Sequence, residues 1–431
     1  MTSSPTWTRV WLRRPETEST VTTTSTSSNG RRAAVESPLR APTRGGVPGL
    51  PGGGQAGSIE NDYGTRPDGV LKTHDAGSFA FETGGYLPAV TLAYETWGEL
   101  NAAGDNAVLV AHALTGDTHV ASSEADPSIG WWEGLLGPGR PIDTDKWFVI
   151  APAMVGGCYG STGSSSVDAD GVPWGSRFPF VTIRDAVHLE KRLLDALGVT
   201  ALHTVIGGSM GGARALEWAV SYPDFVRGFA VFACGAASTA EQIAFGQTQV
   251  MAIRNDPHFN GGDYYTGQRP EAGLGLARRI AHVTYRTEAE LQLRFGRAAQ
   301  GGEDPFGGTQ LAGDRPRAGR YQVESYLDHQ AAKLAKRFDP NAYITMAEAL
   351  MSHDVGRGRG GVEAALAGVT AAPFLAAVDT DRLYFPEQSQ QIADLIPGDH
   401  QVHTITSHIG HDGFLTSAEQ LGDAMRGRLS L

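Results

Sequence analysis

The segment Gly207-Gly208-Ser209-Met210-Gly211-Gly212 sets a serine among small residues, directly after an apolar run and directly before a helical pattern. In that strand-turn-helix context G-x-S-x-G forms a sharp turn that pushes the hydroxyl into a cleft at a helix N-terminus, ready for activation as a nucleophile. Two other uses of a glycine-rich turn fit less well. A phosphate-cradling loop would end in Lys followed by Ser or Thr, and a dinucleotide-binding turn sits on an early strand with an acid about 20 residues further on.

Such a serine needs a base and an orienting acid, in the chain order serine, acid, histidine. Val378-Asp379-Thr380-Asp381 closes one late apolar run, and Ile409-Gly410-His411-Asp412-Gly413 follows the next. Asp381 and His411 are thus separated by one helix pattern and one strand pattern. Among 13 histidines, His411 stands out by its place in a glycine-flanked loop just past the last strand. His408 remains its rival, and Asp379 that of Asp381. An anion pocket beside the serine would use the backbone N–H of Met210 and a second N–H from the loop after the third strand. There the chain reads His112-Ala113-Leu114-Thr115-Gly116-Asp117, which makes Leu114 the candidate; a plain turn is the alternative. These residues imply serine acyl chemistry without fixing what receives the acyl group.

The elements that must position these groups follow from hydrophobic periodicity. Apolar runs predict strands at 90–94, 107–111, 147–151, 202–206, 228–233, 373–378 and 401–406. A helix follows the capping-box pattern Thr182-Ile183-Arg184-Asp185. Its apolar positions Ile183, Ala186, Val187, Leu189, Leu193, Leu194 and Leu197 recur at three and four, and Gly198 ends it. Further helices are expected after the serine, with Ala213, Leu216, Trp218 and Ala219, and from Pro386 to Leu395. Strands alternating with helices imply βαβ units and a mostly parallel sheet with helices on both faces, an α/β fold. Between about 238 and 366 the strand rhythm stops. Helical patterns at 277–284 and 323–337, and a glycine-rich loop at 301–319, suggest a helical insertion over the carboxyl ends of the strands, where ligands bind. The expected organisation is a core at 59–237 and 367–431 with a lid at 238–366.

Composition bounds the rest. The chain has 431 residues, 41% hydrophobic, with 56 glycines, which is ordinary globular usage. The formal charge is −12, so a broad nucleic-acid footprint is not expected. No apolar stretch approaches the roughly 20 residues of a membrane helix. Cys158 and Cys234 are too few for a disulfide framework or a thiolate zinc site, which suggests a reducing, cytoplasmic compartment and no bound metal. Residues 1–58 are rich in Ser, Thr, Gly, Pro and Arg and read as a disordered extension or an early-set start codon. Seven arginines against three glutamates there could suggest a transit peptide. A twin-arginine signal at Arg13-Arg14 fails, because Pro15-Glu16-Thr17-Glu18 follows where an apolar core belongs.

Several motifs in one order carry a resemblance. They are Tyr94-Glu95-Thr96-Trp97-Gly98, His112-Ala113-Leu114-Thr115-Gly116, Gly156-Gly157-Cys158-Tyr159-Gly160-Ser161-Thr162-Gly163 and the serine turn. Ala277-Arg278, Thr284-Tyr285-Arg286, the run from Ser352 to Gly361, Asp381-Arg382-Leu383-Tyr384 and Gly410-His411-Asp412-Gly413-Phe414-Leu415 complete the set. From about Tyr94 to about Leu415 the chain resembles the homoserine O-acetyltransferases, acyltransferases of methionine biosynthesis with the α/β-hydrolase fold. The resemblance implies Ser209 as nucleophile, Asp381 as acid and His411 as base. It implies that Arg278 and Tyr285 hold the carboxylate of L-homoserine while Asp412 meets its ammonium. It further implies acetyl-CoA as co-substrate, no bound cofactor, and a homodimer joined through lid helices.

The chain departs from the family at Gln247-Thr248-Gln249-Val250-Met251, where many members carry an arginine. Arg357 and Arg359 are either contacts for coenzyme A phosphates or loop-stabilising residues. Alternative readings are a homoserine O-succinyltransferase, a serine O-acetyltransferase, a serine esterase and an inactive α/β-hydrolase scaffold.

Overall fold

A computed structural model describes residues 70–305 and 319–428. The tail at 1–58 and most of the glycine-rich loop at 301–319 lie outside the described residues. Eight strands form one sheet: β1 Lys72–Asp75, β2 Thr91–Trp97, β3 Ala107–Ala111, β4 Phe148–Pro152, β5 Leu202–Gly208, β6 Gly228–Phe232, β7 Ala372–Val378 and β8 Val402–Ile405. Their spatial order is β1-β2-β4-β3-β5-β6-β7-β8. From β4 to β8 every pairing is parallel. β2 runs antiparallel to both β1 and β4, so one edge of the sheet is mixed. β1 escapes the periodicity reading because it is a mostly exposed polar edge strand, Lys-Thr-His-Asp, with no buried face to print a pattern.

The helices are α1 Ile183–Ala196, α2 Met210–Ser221, α3 Ala240–Arg254, α4 Glu271–Tyr285, α5 Glu288–Arg294, α6 Gln322–Arg337, α7 Pro340–Met351, α8 Val362–Leu366, α9 Pro386–Leu395, α10 Gly413–Thr416 and α11 Ala418–Arg428. α1 starts as its sequence dictates. The Thr182 hydroxyl accepts the Asp185 N–H, and the Asp185 carboxylate accepts the Thr182 N–H.

Strand side chains alternate between two cores. Leu109, Ile150 and Val205 join Leu193, Leu216 and Ile392 of α1, α2 and α9 on one face. Val108, Val149 and Ile206 join Leu421 and Met425 of α11 on the other. Central strands buried on both faces read as continuous apolar runs, which is why 107–111 was legible as a strand. Between β6 and β7 the chain leaves the sheet for α3 to α8. Of these, α3 packs against α4 and α7, and α4 against α6 and α7. No helix among the described residues is long and apolar enough to cross a membrane.

Candidate active site

Ser209 follows β5 directly and caps α2 with φ 56° and ψ −124°, a backbone region that non-glycine residues rarely occupy. The strain is held by close packing around the turn. A Cβ on Gly211 would collide with the Ala111 carbonyl, and one on Gly207 with the Gly211 backbone. Glycine at both positions therefore lets the start of α2 press against the end of β3 and drives the serine side chain outward.

The hydroxyl meets an imidazole. His411 Nε2 lies 2.9 Å from Ser209 Oγ, and His411 Nδ1 lies 2.7 Å from Asp381 Oδ2. All three are buried. Asp381 is fixed in turn, because its Oδ1 accepts the N–H groups of Leu383 and Tyr384 at 2.8 and 2.9 Å. Tyr384 stacks on the imidazole at 5.3 Å between centroids, and Phe414 meets it edge-on. Burial alone would push the His411 pKa down; the charge and hydrogen bond of Asp381 outweigh it and hold the ring above its ordinary value. The rivals lie apart from this chain of contacts. Asp379 is exposed and accepts the Ser407 N–H at 3.0 Å. His408 is exposed, and its carbonyl accepts the Thr287 hydroxyl.

Met210 follows the serine as the first residue of α2. Leu114 lies in the loop leaving β3 and lines a small cavity of about 50 Å³ together with Tyr285, Leu383 and Tyr384. The loop is pinned by His112, whose Nδ1–H donates to the Ala113 carbonyl at 2.8 Å while Nε2 accepts the Met154 N–H at 3.0 Å. Burial, reinforced by the charge of Arg214, lowers the His112 pKa to about 3, so the ring is neutral.

Arg278 and Tyr285 come from α4. Arg278 is half-buried, with Nη1 3.5 Å from Thr115 Oγ1 and its guanidinium 6.0 Å from the Tyr285 ring centroid. Its buried Nε meets no partner among the described residues. The Tyr285 ring lies 5.6 Å from that of His411. Burial pushes its phenol up to about 12 against the pull of Arg278, so it remains a donor at neutral pH. Asp412 follows the base directly and pairs with Arg286 at 3.0 Å.

Three groups escaped the sequence reading. Arg286 lies in a motif, but nothing in the spacing shows its partner. Arg337, at the end of α6, donates to the Thr115 carbonyl at 2.9 Å. Glu95, in β2, bonds to the loop after β3. Gln249, within the segment Gln247-Thr248-Gln249-Val250-Met251, is buried and accepts the Tyr343 hydroxyl at 2.6 Å. Arg357 pairs with Glu82, and Arg359 with Glu217 at 2.6 Å, which ties both arginines to the protein's own carboxylates. Among the described residues no group of three or more His, Cys, Asp or Glu side chains is arranged to hold a metal ion.

The alpha/beta hydrolase fold model matches residues 106–418. The homoserine O-acetyltransferase of Thermobifida fusca (strain YX) is 55% identical over 344 residues, covering 79% of this chain and 88% of that protein. The chain belongs to the homoserine O-acetyltransferase family. Among solved structures, the homoserine O-acetyltransferase from Bacillus anthracis superposes with a TM-score of 0.77 at 26% identity, covering 84% of this chain and 97% of that one. Esterase E22 reaches 0.75 at 28%, covering 83% and 99%. The fold is therefore shared between transferases and esterases, and the higher sequence identity is what assigns the family.

Proposed function

We propose that this protein transfers an acetyl group from acetyl-CoA to the hydroxyl of L-homoserine through an acetyl-serine intermediate at Ser209. The observation that carries the reading is the unbroken contact from Ser209 Oγ through His411 to Asp381 Oδ2, in a chain of this family. His411 Nε2 takes the proton as Ser209 Oγ attacks the thioester carbonyl. The tetrahedral oxyanion rests on the N–H groups of Met210 and Leu114, each worth about 3–4 kcal/mol of transition-state stabilisation. The protonated His411 gives its proton to the departing thiolate, leaving Ser209 acetylated. The acceptor hydroxyl then gives its proton to His411 and attacks the ester. Collapse returns the proton to Ser209. Asp381 holds the imidazole with its proton on Nδ1 and stabilises the charged form.

The acceptor is a zwitterion. The Arg278 guanidinium and the Tyr285 phenol suit its carboxylate, and Asp412 beside the base suits its ammonium. Residues 238–366 act as a lid over the core at 59–237 and 367–431, keeping water from the acyl-enzyme. The same reading includes a homodimer acting in the cytoplasm in methionine biosynthesis.

Intact-protein mass spectrometry tests the scheme. Acetyl-CoA should add one acetyl group to Ser209, succinyl-CoA should not acylate it, and L-homoserine should discharge the adduct faster than serine or water does. Discharge by water as fast as by homoserine would make the protein an esterase. Absence of any adduct would end the covalent scheme.

A further inference from the structure

Glu95 sits in β2, outside the contacts between Ser209, His411 and Asp381, and no step above uses it. It is only 1% exposed, and a carboxylate in such a place is costly unless its oxygens are hydrogen-bonded. Both are. Oε1 accepts the Thr118 hydroxyl at 2.6 Å, and Oε2 lies 2.9 Å from His119 Nδ1. His119 is equally buried, and its Nε2 lies 2.9 Å from the Ser128 carbonyl. A carbonyl only accepts, so Nε2 carries a hydrogen and the Nδ1 contact to Glu95 is charge-assisted.

Thr118 and His119 belong to the loop that leaves β3 with Leu114 and Thr115. That stretch is a tight turn. The Gly116 N–H donates to the Ala113 carbonyl at 2.9 Å, and the His119 N–H to Asp117 Oδ1 at 2.9 Å. A shift at Thr118 is therefore passed to Leu114, whose N–H must meet the oxyanion, and to Thr115, which touches Arg278.

We infer that Glu95 is a positioning residue for the anion pocket: through Thr118 and His119 it holds the loop after β3 in register with Ser209. This rests on the reading of Leu114 as an oxyanion donor. Supporting groups of this kind act on the rate, because a misplacement of about 1 Å can cost ~100-fold in turnover.

The test is the acylation rate of the full chain by p-nitrophenyl acetate, read as the burst of nitrophenolate. Thr118→Val keeps the side-chain shape and removes one bond; it should slow acylation roughly tenfold with KM within about twofold. Glu95→Ala should slow it more. Glu95→Gln should stay within about threefold of the parent, because the amide oxygen accepts from Thr118 while the amide nitrogen donates to a neutral His119. That rescue and the kcat-against-KM split are what a purely fold-supporting role would not produce.

Unchanged acylation in Thr118→Val and Glu95→Ala would overturn the inference. So would a loss confined to KM, or a Glu95→Gln variant as slow as Glu95→Ala. Should Glu95→Ala not fold, Thr118→Val decides alone. The ester probe does not depend on acetyl-CoA, so failure of the positioning role and failure of the acetyl-transfer reading remain separable.

Discussion

Arg286 Nη2 and Asp412 Oδ2 meet at 3.0 Å, and the same guanidinium reaches Glu290 Oε1 at 3.3 Å. Arg294 closes the series on the same carboxylate oxygen at 2.7 Å. One oxygen of Asp412 is thus engaged by the residue that follows α4, which orients the other. If Asp412 receives the acceptor's ammonium, Arg286→Gln frees the carboxylate to rotate and raises the KM for homoserine. The expected rise is roughly tenfold, or about 1.4 kcal/mol, with the acylation rate by acetyl-CoA unchanged. Steady-state kinetics beside a burst assay separates the two. A fall in KM would mean that Arg286 chiefly neutralises Asp412.

Removal of the nucleophile has a sharper outcome. Ser209→Ala leaves His411 and Asp381 in contact but takes away the attacking oxygen. Residues of such a unit act together, so turnover should fall by ~10⁴-fold or more. Intact mass after incubation with acetyl-CoA should show no adduct. Near-normal turnover in the purified variant would exclude the acyl-serine route.

Legibility in the sequence followed burial and chain proximity. The run Ala107–Ala111 and the turn around Ser209 announce themselves because apolar runs and glycine spacing are local. Asp381 and Asp379 are two residues apart on one strand end, and local pattern cannot separate them. The distinction comes from direction: Asp381 turns to His411 while Asp379 turns to the Ser407 N–H. Glu95 and Arg286 lie within motifs, but the local spacing shows no role for them, since their partners His119 and Asp412 lie 24 and 126 residues away. Ion pairs across such separations leave no periodicity to read. β1 left none either, being an exposed polar edge.

The pH dependence of acylation should report His411. Its pKa is held above the ordinary imidazole value of 6.5, and the base must be neutral to accept the serine proton. The rate should fall on the acid side with an inflection above 6.5. Asp381→Asn removes the charge that raises it, so burial dominates and the inflection moves down while the maximal rate drops. The stability sign is opposite to that of the rate. A raised histidine pKa contributes stability that is full below the unfolded value and is lost as pH rises through the folded one. An inflection below 6.5 in the parent would contradict the role of Asp381.

His112 has the reverse sign. Its pKa is lowered to about 3 by burial and by Arg214, and its neutral form accepts the Met154 N–H and donates to the Ala113 carbonyl. The stability it contributes is present above the unfolded value of 6.5 and is lost as pH falls toward 3. Each pH unit below ~6.5 removes about 1.4 kcal/mol, hence about 2 kcal/mol by pH 5. Urea unfolding at pH 7 and pH 5 should show the parent losing that much more than His112→Asn over the same interval, other titrating groups cancelling between the two. Equal losses would mean that the folded protein protonates His112 as readily as the unfolded chain does, so that burial and the Met154 contact do not hold the ring neutral. The folded ring stays neutral down to about 3, so its hold on the loop bearing Leu114 persists at pH 5, and the acid-side fall in acylation reports His411 rather than His112.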